Sequence, residues 1–338
     1  MINAFGAVAT APWRVEYLPV EVPEPGPEDV VIRVTHSWIS NGTEGSFVRG
    51  ERIAGDTPRR ETDPMPFPHI PGYQKVGIVE SVGAEVTRIK PGDSVFATVS
   101  RVNGMFYDFG GHVSPAVTHQ SQVMLLDQEL DPISASGLVL TQVGYNVGAC
   151  AEPTPGDRAV VIGDGMVGHW AAQTFQLHGT PVLMLGRHDY RLDFFGVGED
   201  DGIVNTNTED AVEAVKQWAP NGVNIIADTV GSITTLESLY KCARRFTNLV
   251  SAGFYGVNGK IDIQTMRNYE MTLHAPSGWT PNRMGVTLDL LMDGTLTTSH
   301  LITHRFPISQ VQKAFDLILS KKEPVLGVIL DWQAGDKP

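Results

Sequence analysis

The chain has 338 residues, 42 % apolar and 19 % charged, a globular composition with room for two domains of ordinary size. Its 25 Lys and Arg stand against 38 Asp and Glu, and the net charge of −13 argues against nucleic acid or an anionic membrane as a partner. Two cysteines, Cys150 and Cys242, exclude a disulfide framework, and no stretch approaches the roughly 18 uninterrupted apolar residues of a membrane span.

Residues 1–22 read as strand sequence without a basic leader and apolar core, so a cytoplasmic location is expected. Strands are predicted over 30–34, 76–82 and 93–97, punctuated by Pro25-Gly26, Pro71-Gly72 and Pro91-Gly92, as in a compact β domain with irregular loops. The polar insert 50–67, with Arg52, Arg59 and Arg60, is predicted to be a mobile loop suited to a polar, sugar-like or acidic substrate. Near residue 135 the texture changes. Apolar residues recur at helical spacing over 138–147, and short apolar strands at 159–162, 182–185, 203–204, 224–227 and 247–251 then alternate with helices at 168–177, 209–218 and 234–242. Such alternation predicts a parallel sheet with right-handed crossovers. A helix (284–292), an extended piece (301–306), a helix (310–319) and a strand (325–330) follow Pro281, and this tail resembles the first domain. The predicted class is α/β, with a Rossmann doubly wound parallel sheet over 141–280 and a β-rich domain built from 1–140 and 281–338.

The segment Gly163-Asp164-Gly165-Met166-Val167-Gly168 matches GxGxxG. Alone that pattern is weak evidence, but here an apolar strand enters it, an Ala-rich helix leaves it and a second apolar strand follows. Gly163 permits the tight turn, and Gly165 leaves room for a pyrophosphate. Gly168 lets the helix pack closely, with N–H groups of its first turn, Met166 and Val167 adjoining, facing the phosphates. NAD-binding proteins place an acid at the end of the second strand. That position is Gly186, followed by Arg187, His188 and then Arg191, which favours NADP(H) over NAD(H) because a guanidinium fork suits a 2′-phosphate. Thr229, Val230, Gly253 and Phe254 sit in turns at later strand ends, expected to face the nicotinamide half, with Gly253 and Gly256 allowing close approach. Asp228 reads as a turn cap.

The chain resembles the medium-chain dehydrogenase/reductase superfamily along nearly its whole length. The resemblance lies in Ile39-Ser40-Asn41-Gly42-Thr43-Glu44, Pro71-Gly72-Tyr73-Gln74-Lys75-Val76-Gly77, the Pro-Gly-Asp of residues 89–95, the glycine motif, and Leu301-Ile302-Thr303-His304-Arg305-Phe306-Pro307. It implies a GroES-like catalytic domain from both chain ends, a Rossmann domain between them and a homodimer. Ser40–Glu44 and Pro71–Tyr73 look like a zinc-free subgroup that includes the bacteriochlorophyllide hydroxyethyl dehydrogenases, while 301–306 resembles polyol and threonine dehydrogenases. Zinc members carry a Cys where this chain has Ser40 or Asn41, a His and Glu at Tyr73 and Gln74, and a second Cys where the aliphatic residues 138–140 fall. Hydroxyl and amide groups do not hold Zn²⁺, so a zinc-free enzyme is expected. His36, Glu44, His69 and His112 offer no helical ligand spacing, and His112 is expected to edge the pocket.

Without zinc, hydrogen bonds must polarise the substrate oxygen and move one proton. Thr43 is the first candidate for donor and relay, and Tyr73 is the candidate phenol for the carbonyl oxygen, with packing as its alternative role. Ser40 or Asn41 is a second oxyanion donor, and Glu44 reads as a partner of a basic group that stays in play as a base. Trp38, Phe106, Tyr107 and Trp279 are either pocket or core. The expected function is NADP(H)-dependent, zinc-independent interconversion of a secondary alcohol and a ketone or aldehyde on a polar, polyol- or sugar-like small molecule. The alternatives are an NADPH-dependent enone or quinone reductase and a catalytically decayed NADP(H)-binding regulatory protein.

Overall fold

The structure is a computed structural model that describes residues 2–334. The chain folds into two compact units, Met1–Val139 with Thr297–Pro338, and Leu140–Leu296.

In the first unit the strand Asp29–Ile39 is the hub. It pairs antiparallel with Lys75–Val82, Ala116–His119 and Gly327–Asp331, the last in the register Ile329 opposite Trp38 and Asp331 opposite His36. Ser94–Ala97 and Val123–Leu125 extend the sheet on one side, and Ile302–Pro307, parallel to Gly327–Asp331, closes it on the other. A three-stranded sheet of Val113–Ser114, Ile2–Ala11 and Arg14–Val22 stands beside it. One core joins Val30, Ile32, Val34, Val79, Val95 and Val117. The helix Val311–Ser320 fills a second core with Val311, Ala314, Phe315, Ile318 and Leu319, the i, i+3, i+4, i+7, i+8 stripe of a one-sided helix.

The second unit holds six parallel strands in the order Gly202–Asn205, Val182–Gly186, Ala159–Ile162, Val223–Asp228, Ala243–Ser251 and Thr272–His274. The chain reverses direction of travel between Ala159–Ile162 and Val223–Asp228, the switch point at which open α/β sheets bind ligands. Both faces of the inner strands Ala159–Ile162 and Val182–Gly186 are covered, which is why these two are unbroken apolar runs. Val161, Met184, Ile225 and Ala227 pack with Ala171 and Phe175, while Val160, Leu183, Leu185 and Ile226 pack with Val215 and Leu236 on the other face.

Three differences from the sequence expectations have physical causes. The second domain boundary falls after Leu296 rather than at 280/281. The helix Pro281–Met292 is capped by Thr280 and tied back through Arg283, whose guanidinium donates to the Ser277 and Gly278 carbonyls. The edge strand Thr272–His274 is too short and too exposed to leave an apolar run. The helix Asn41–Val48 contains Gly42 and Gly45, poor helix formers that mask it. No helix among the described residues is long and apolar enough to cross a membrane.

Candidate active site

In the first unit the helix Asn41–Val48 begins where the central strand ends, with Ser40 as its N-cap. Ser40 makes no side-chain cap bond; its hydroxyl engages Tyr73 instead. Glu44 completes the cap, its Oε1 accepting the Ser40 backbone N–H at 2.7 Å. Thr43 also hydrogen-bonds the Tyr73 hydroxyl. Burial pushes the Tyr73 phenol up to about 12 and the Glu44 carboxylate acts in the same direction, while the Ser40 and Thr43 bonds and the Arg52 guanidinium oppose it. The phenol therefore keeps its proton through the physiological range and is a donor.

The turn that carries Tyr73 is locked from beneath. Gly72 has φ +91°, and a Cβ there would sit 2.7 Å from His112 Nε2. His112 is fully buried rather than at a pocket edge, and its Nε2 lies 2.7 Å from Glu44 Oε2. Its Nδ1 lies 2.9 Å from Ser37 Oγ, which accepts from Trp332 Nε1 at 2.9 Å. An indole N–H can only donate, so the chain is satisfied when Ser37 donates to Nδ1 and Nε2–H donates to the Glu44 carboxylate. Sequence reading misses this arrangement because its members lie far apart along the chain.

The other expected groups are placed differently. Asn41 Nδ2 donates to the Leu326 carbonyl at 2.7 Å. The insert folds on itself as a hairpin of Arg52–Ala54 and Thr57–Pro58. Arg52 is buried against Ser46 Oγ and Asp56 Oδ1, both at 2.6 Å, and Arg59 Nε donates to the Gly50 carbonyl at 2.8 Å. These guanidiniums build the insert. Trp38 is core, wedged where a Cβ on Gly137 or Gly327 would collide with its ring.

The residues matched to zinc ligands do not fit the ion. Ser40 and Tyr73 bond one another, Gln74 is buried with Nε2 donating to the Trp38 carbonyl at 3.1 Å, and Leu138 and Val139 are apolar core. Zn²⁺ takes thiolate, imidazole or carboxylate. Among the described residues no group of three or more His, Cys, Asp or Glu is placed to hold a metal.

In the second unit the glycine turn forms a cradle that fits a dinucleotide pyrophosphate. Gly163 has φ +121°, and a Cβ there would lie 2.4 Å from Thr229 Oγ1. A Cβ on Gly168 would lie 2.1 Å from the Gly163 carbonyl oxygen, so Gly168 serves helix packing. Around Gly165 nothing lies within 4 Å of such an atom. That residue is the N-cap of Met166–Leu177 and has no side chain to claim the N–H groups of the first turn, which stay available to an anion. Thr229 Oγ1 bonds the Ile162 carbonyl, and Val230 is exposed above the turn. Asp228 caps that turn by accepting from the N–H groups of Val230, Gly231 and Ser232 and from the Tyr255 hydroxyl. A Cβ on Gly253 would lie 1.9 Å from the Gly231 nitrogen, so glycine there lets two turns pack. Phe254 follows it, half-buried.

At the end of the second strand, Arg187 is exposed, His188 and Arg191 lie beside it, and all three contact Asp164 through backbone or side chain.

Comparison with known proteins matches residues 26–128 to the alcohol dehydrogenase GroES-like domain and residues 167–282 to the zinc-binding dehydrogenase family. The chain is a medium-chain dehydrogenase/reductase. Within that family it is 28 % identical over 334 residues to 2-desacetyl-2-hydroxyethyl bacteriochlorophyllide A dehydrogenase of Cereibacter sphaeroides, covering 93 % of this chain and 94 % of the relative. It is 23 % identical over 356 residues to sorbitol dehydrogenase of Bacillus subtilis, covering 94 % and 93 %. A crystal structure of a putative zinc-binding dehydrogenase from Sinorhizobium meliloti bound to NADP superposes with a TM-score of 0.81 at 19 % identity, covering 98 % of this chain and 100 % of that one. The fold is thus a GroES-like unit joined to a Rossmann unit, and the chain is an oxidoreductase of the alcohol dehydrogenase type.

Proposed function

We propose that this medium-chain dehydrogenase/reductase is an NADP(H)-dependent, zinc-independent enzyme that interconverts a secondary alcohol and a ketone or aldehyde on a polar, polyol- or sugar-like small molecule. The observation that carries it is the Tyr73 phenol, hydrogen-bonded by Ser40 and Thr43 at a place matched to a zinc ligand. A nicotinamide nucleotide, when bound, would supply the hydride for reduction or accept it in the reverse direction. Tyr73 donates its O–H to the substrate oxygen as negative charge develops there, and a proton moves onto that oxygen when the carbonyl becomes an alcohol. Ser40 and Thr43 orient the phenol, and a proton drawn from solvent returns to it through the Thr43 hydroxyl, which gives up one proton as it takes another. Glu44 holds Ser40 by its backbone and is itself held by His112.

The cofactor preference rests on Arg187, an exposed guanidinium at a strand end that has glycine where NAD-binding proteins carry an acid. The similarity to a polyol dehydrogenase and to a dehydrogenase of a hydroxyethyl group supports a secondary alcohol. Single-turnover hydride transfer tests the assignment. Tyr73→Phe should slow ketone reduction by ~10²–10³-fold with little change in KM, as for loss of one oxyanion donor. Turnover of enones but of no ketone, polyol or keto-sugar by the unmodified protein would overturn it.

A further inference from the structure

Gly186 ends the second strand, where an acid would contact the adenosine ribose in an NAD-binding protein. Its backbone takes no left-handed conformation, so φ does not require glycine. Space does. A Cβ at 186 would lie 2.7 Å from Asp164 Cβ, 2.7 Å from Leu192 Cδ2 and 2.9 Å from Asp164 Oδ2. Asp164 is the second residue of the glycine motif, and its carboxylate fills the volume into which a side chain at 186 would project.

That carboxylate is also built in. Oδ2 accepts the backbone N–H groups of Arg187 and His188 at 2.8 and 2.9 Å and faces His188 Nδ1 at 2.9 Å. Among the described residues Oδ1 meets only Arg191 Nη1, at 3.3 Å, so it keeps acceptor capacity. Burial works against ionisation, but the Arg187 N–H, the His188 ring and the Arg191 guanidinium outweigh it and hold the acid below the usual carboxylate range. The side chain is 9 % exposed, a fixed anion held against the Arg191 guanidinium. Among the described residues, no carboxylate pairs with the Arg187 guanidinium.

We infer that Asp164 is a specificity-determining residue of the ribose 2′ position, an acid delivered from the glycine turn instead of from the strand end. The inference rests on the nicotinamide-nucleotide reading and deepens it. Asp164 Oδ1 accepts a 2′-hydroxyl, as the strand-end acid would. Its negative charge, and its hold on the two N–H groups and on Arg191, weaken the same place for a 2′-phosphate. Arg187 pulls the other way. The unmodified protein therefore takes both nucleotides, with NADP(H) ahead by less than about a hundredfold.

Calorimetric titration of NADPH, NADH, 2′-AMP and 5′-AMP tests this without turnover. Asp164→Asn keeps the shape and removes the charge. It should shift the NADPH/NADH affinity ratio at least about tenfold toward NADPH, and 2′-AMP over 5′-AMP in parallel. Arg187→Ala should shift both ratios the opposite way. The paired change Asp164→Gly with Gly186→Asp, which returns the acid to the strand end, should bind NADH at least as tightly as the unmodified protein. Equal weakening of all four ligands by Asp164→Asn would make Asp164 a loop anchor and overturn the inference while leaving nucleotide binding intact. Absence of binding by every nucleotide to the unmodified protein would overturn both.

Discussion

Tyr73 concentrates the chemistry in one residue, and its surroundings decide what it does. A phenol pushed up to about 12 by burial does not ionise near neutrality. The rate of ketone reduction should therefore show no ionisation of Tyr73 across the neutral range, falling only as pH approaches the phenol's raised value; a profile lost on Tyr73→Phe with a midpoint near neutrality would contradict this. Behind the phenol, Glu44 and His112 are both essentially unexposed and 2.7 Å apart. Removing one member of such a pair strands the other. His112→Ala should cost about 3–5 kcal/mol in denaturant unfolding, and adding Glu44→Gln should recover part of it, because the uncompensated charge goes. An unfolding curve unchanged by His112→Ala would show that the pair stabilises nothing.

At the scale of elements, the glycine turn shows why some positions are legible in sequence and others are not. Gly163, Gly165 and Gly168 announce themselves because a strand and a helix flank them. Their roles still differ. Gly168→Ala drives a methyl into the Gly163 carbonyl and should lower the melting temperature of the nucleotide-free protein. Gly165→Ala meets nothing in that state, so it should leave melting unchanged and weaken NADPH binding by at least about tenfold. The same loss of melting temperature in both would refute the distinction. Asp164 reads in sequence only as a spacer, since its contacts with Arg187 and His188 depend on how a turn meets a strand end 23 residues later. The helix Asn41–Val48 is hidden for a related reason: its start is fixed by Glu44 reaching back to Ser40, against two glycines that oppose helix.

For the whole molecule, pattern carries the architecture. Buried parallel strands have to be apolar runs, and amphipathic helices have to keep the 3.6-residue stripe, so the two units can be read from one sequence. Contacts between distant side chains cannot: His112 lies 68 residues from Glu44, and Trp332 lies 295 from Ser37. The insert reads in sequence as a mobile polar loop, yet the fold uses Arg52 and Arg59 on its own carbonyls and on Asp56. A net charge of −13 leaves an anionic nucleotide dependent on local cations such as Arg187 and Arg191 and on the helix start at Gly165.

Metal content measured alongside turnover is the most direct test of zinc-independent chemistry. Protein purified without added metal should contain far less than one zinc per chain, reduce its carbonyl substrate with NADPH at full rate, and keep that rate after exhaustive chelation. One tightly held zinc per chain, with activity lost on its removal and restored on its return, would contradict the hydroxyl-based site around Tyr73.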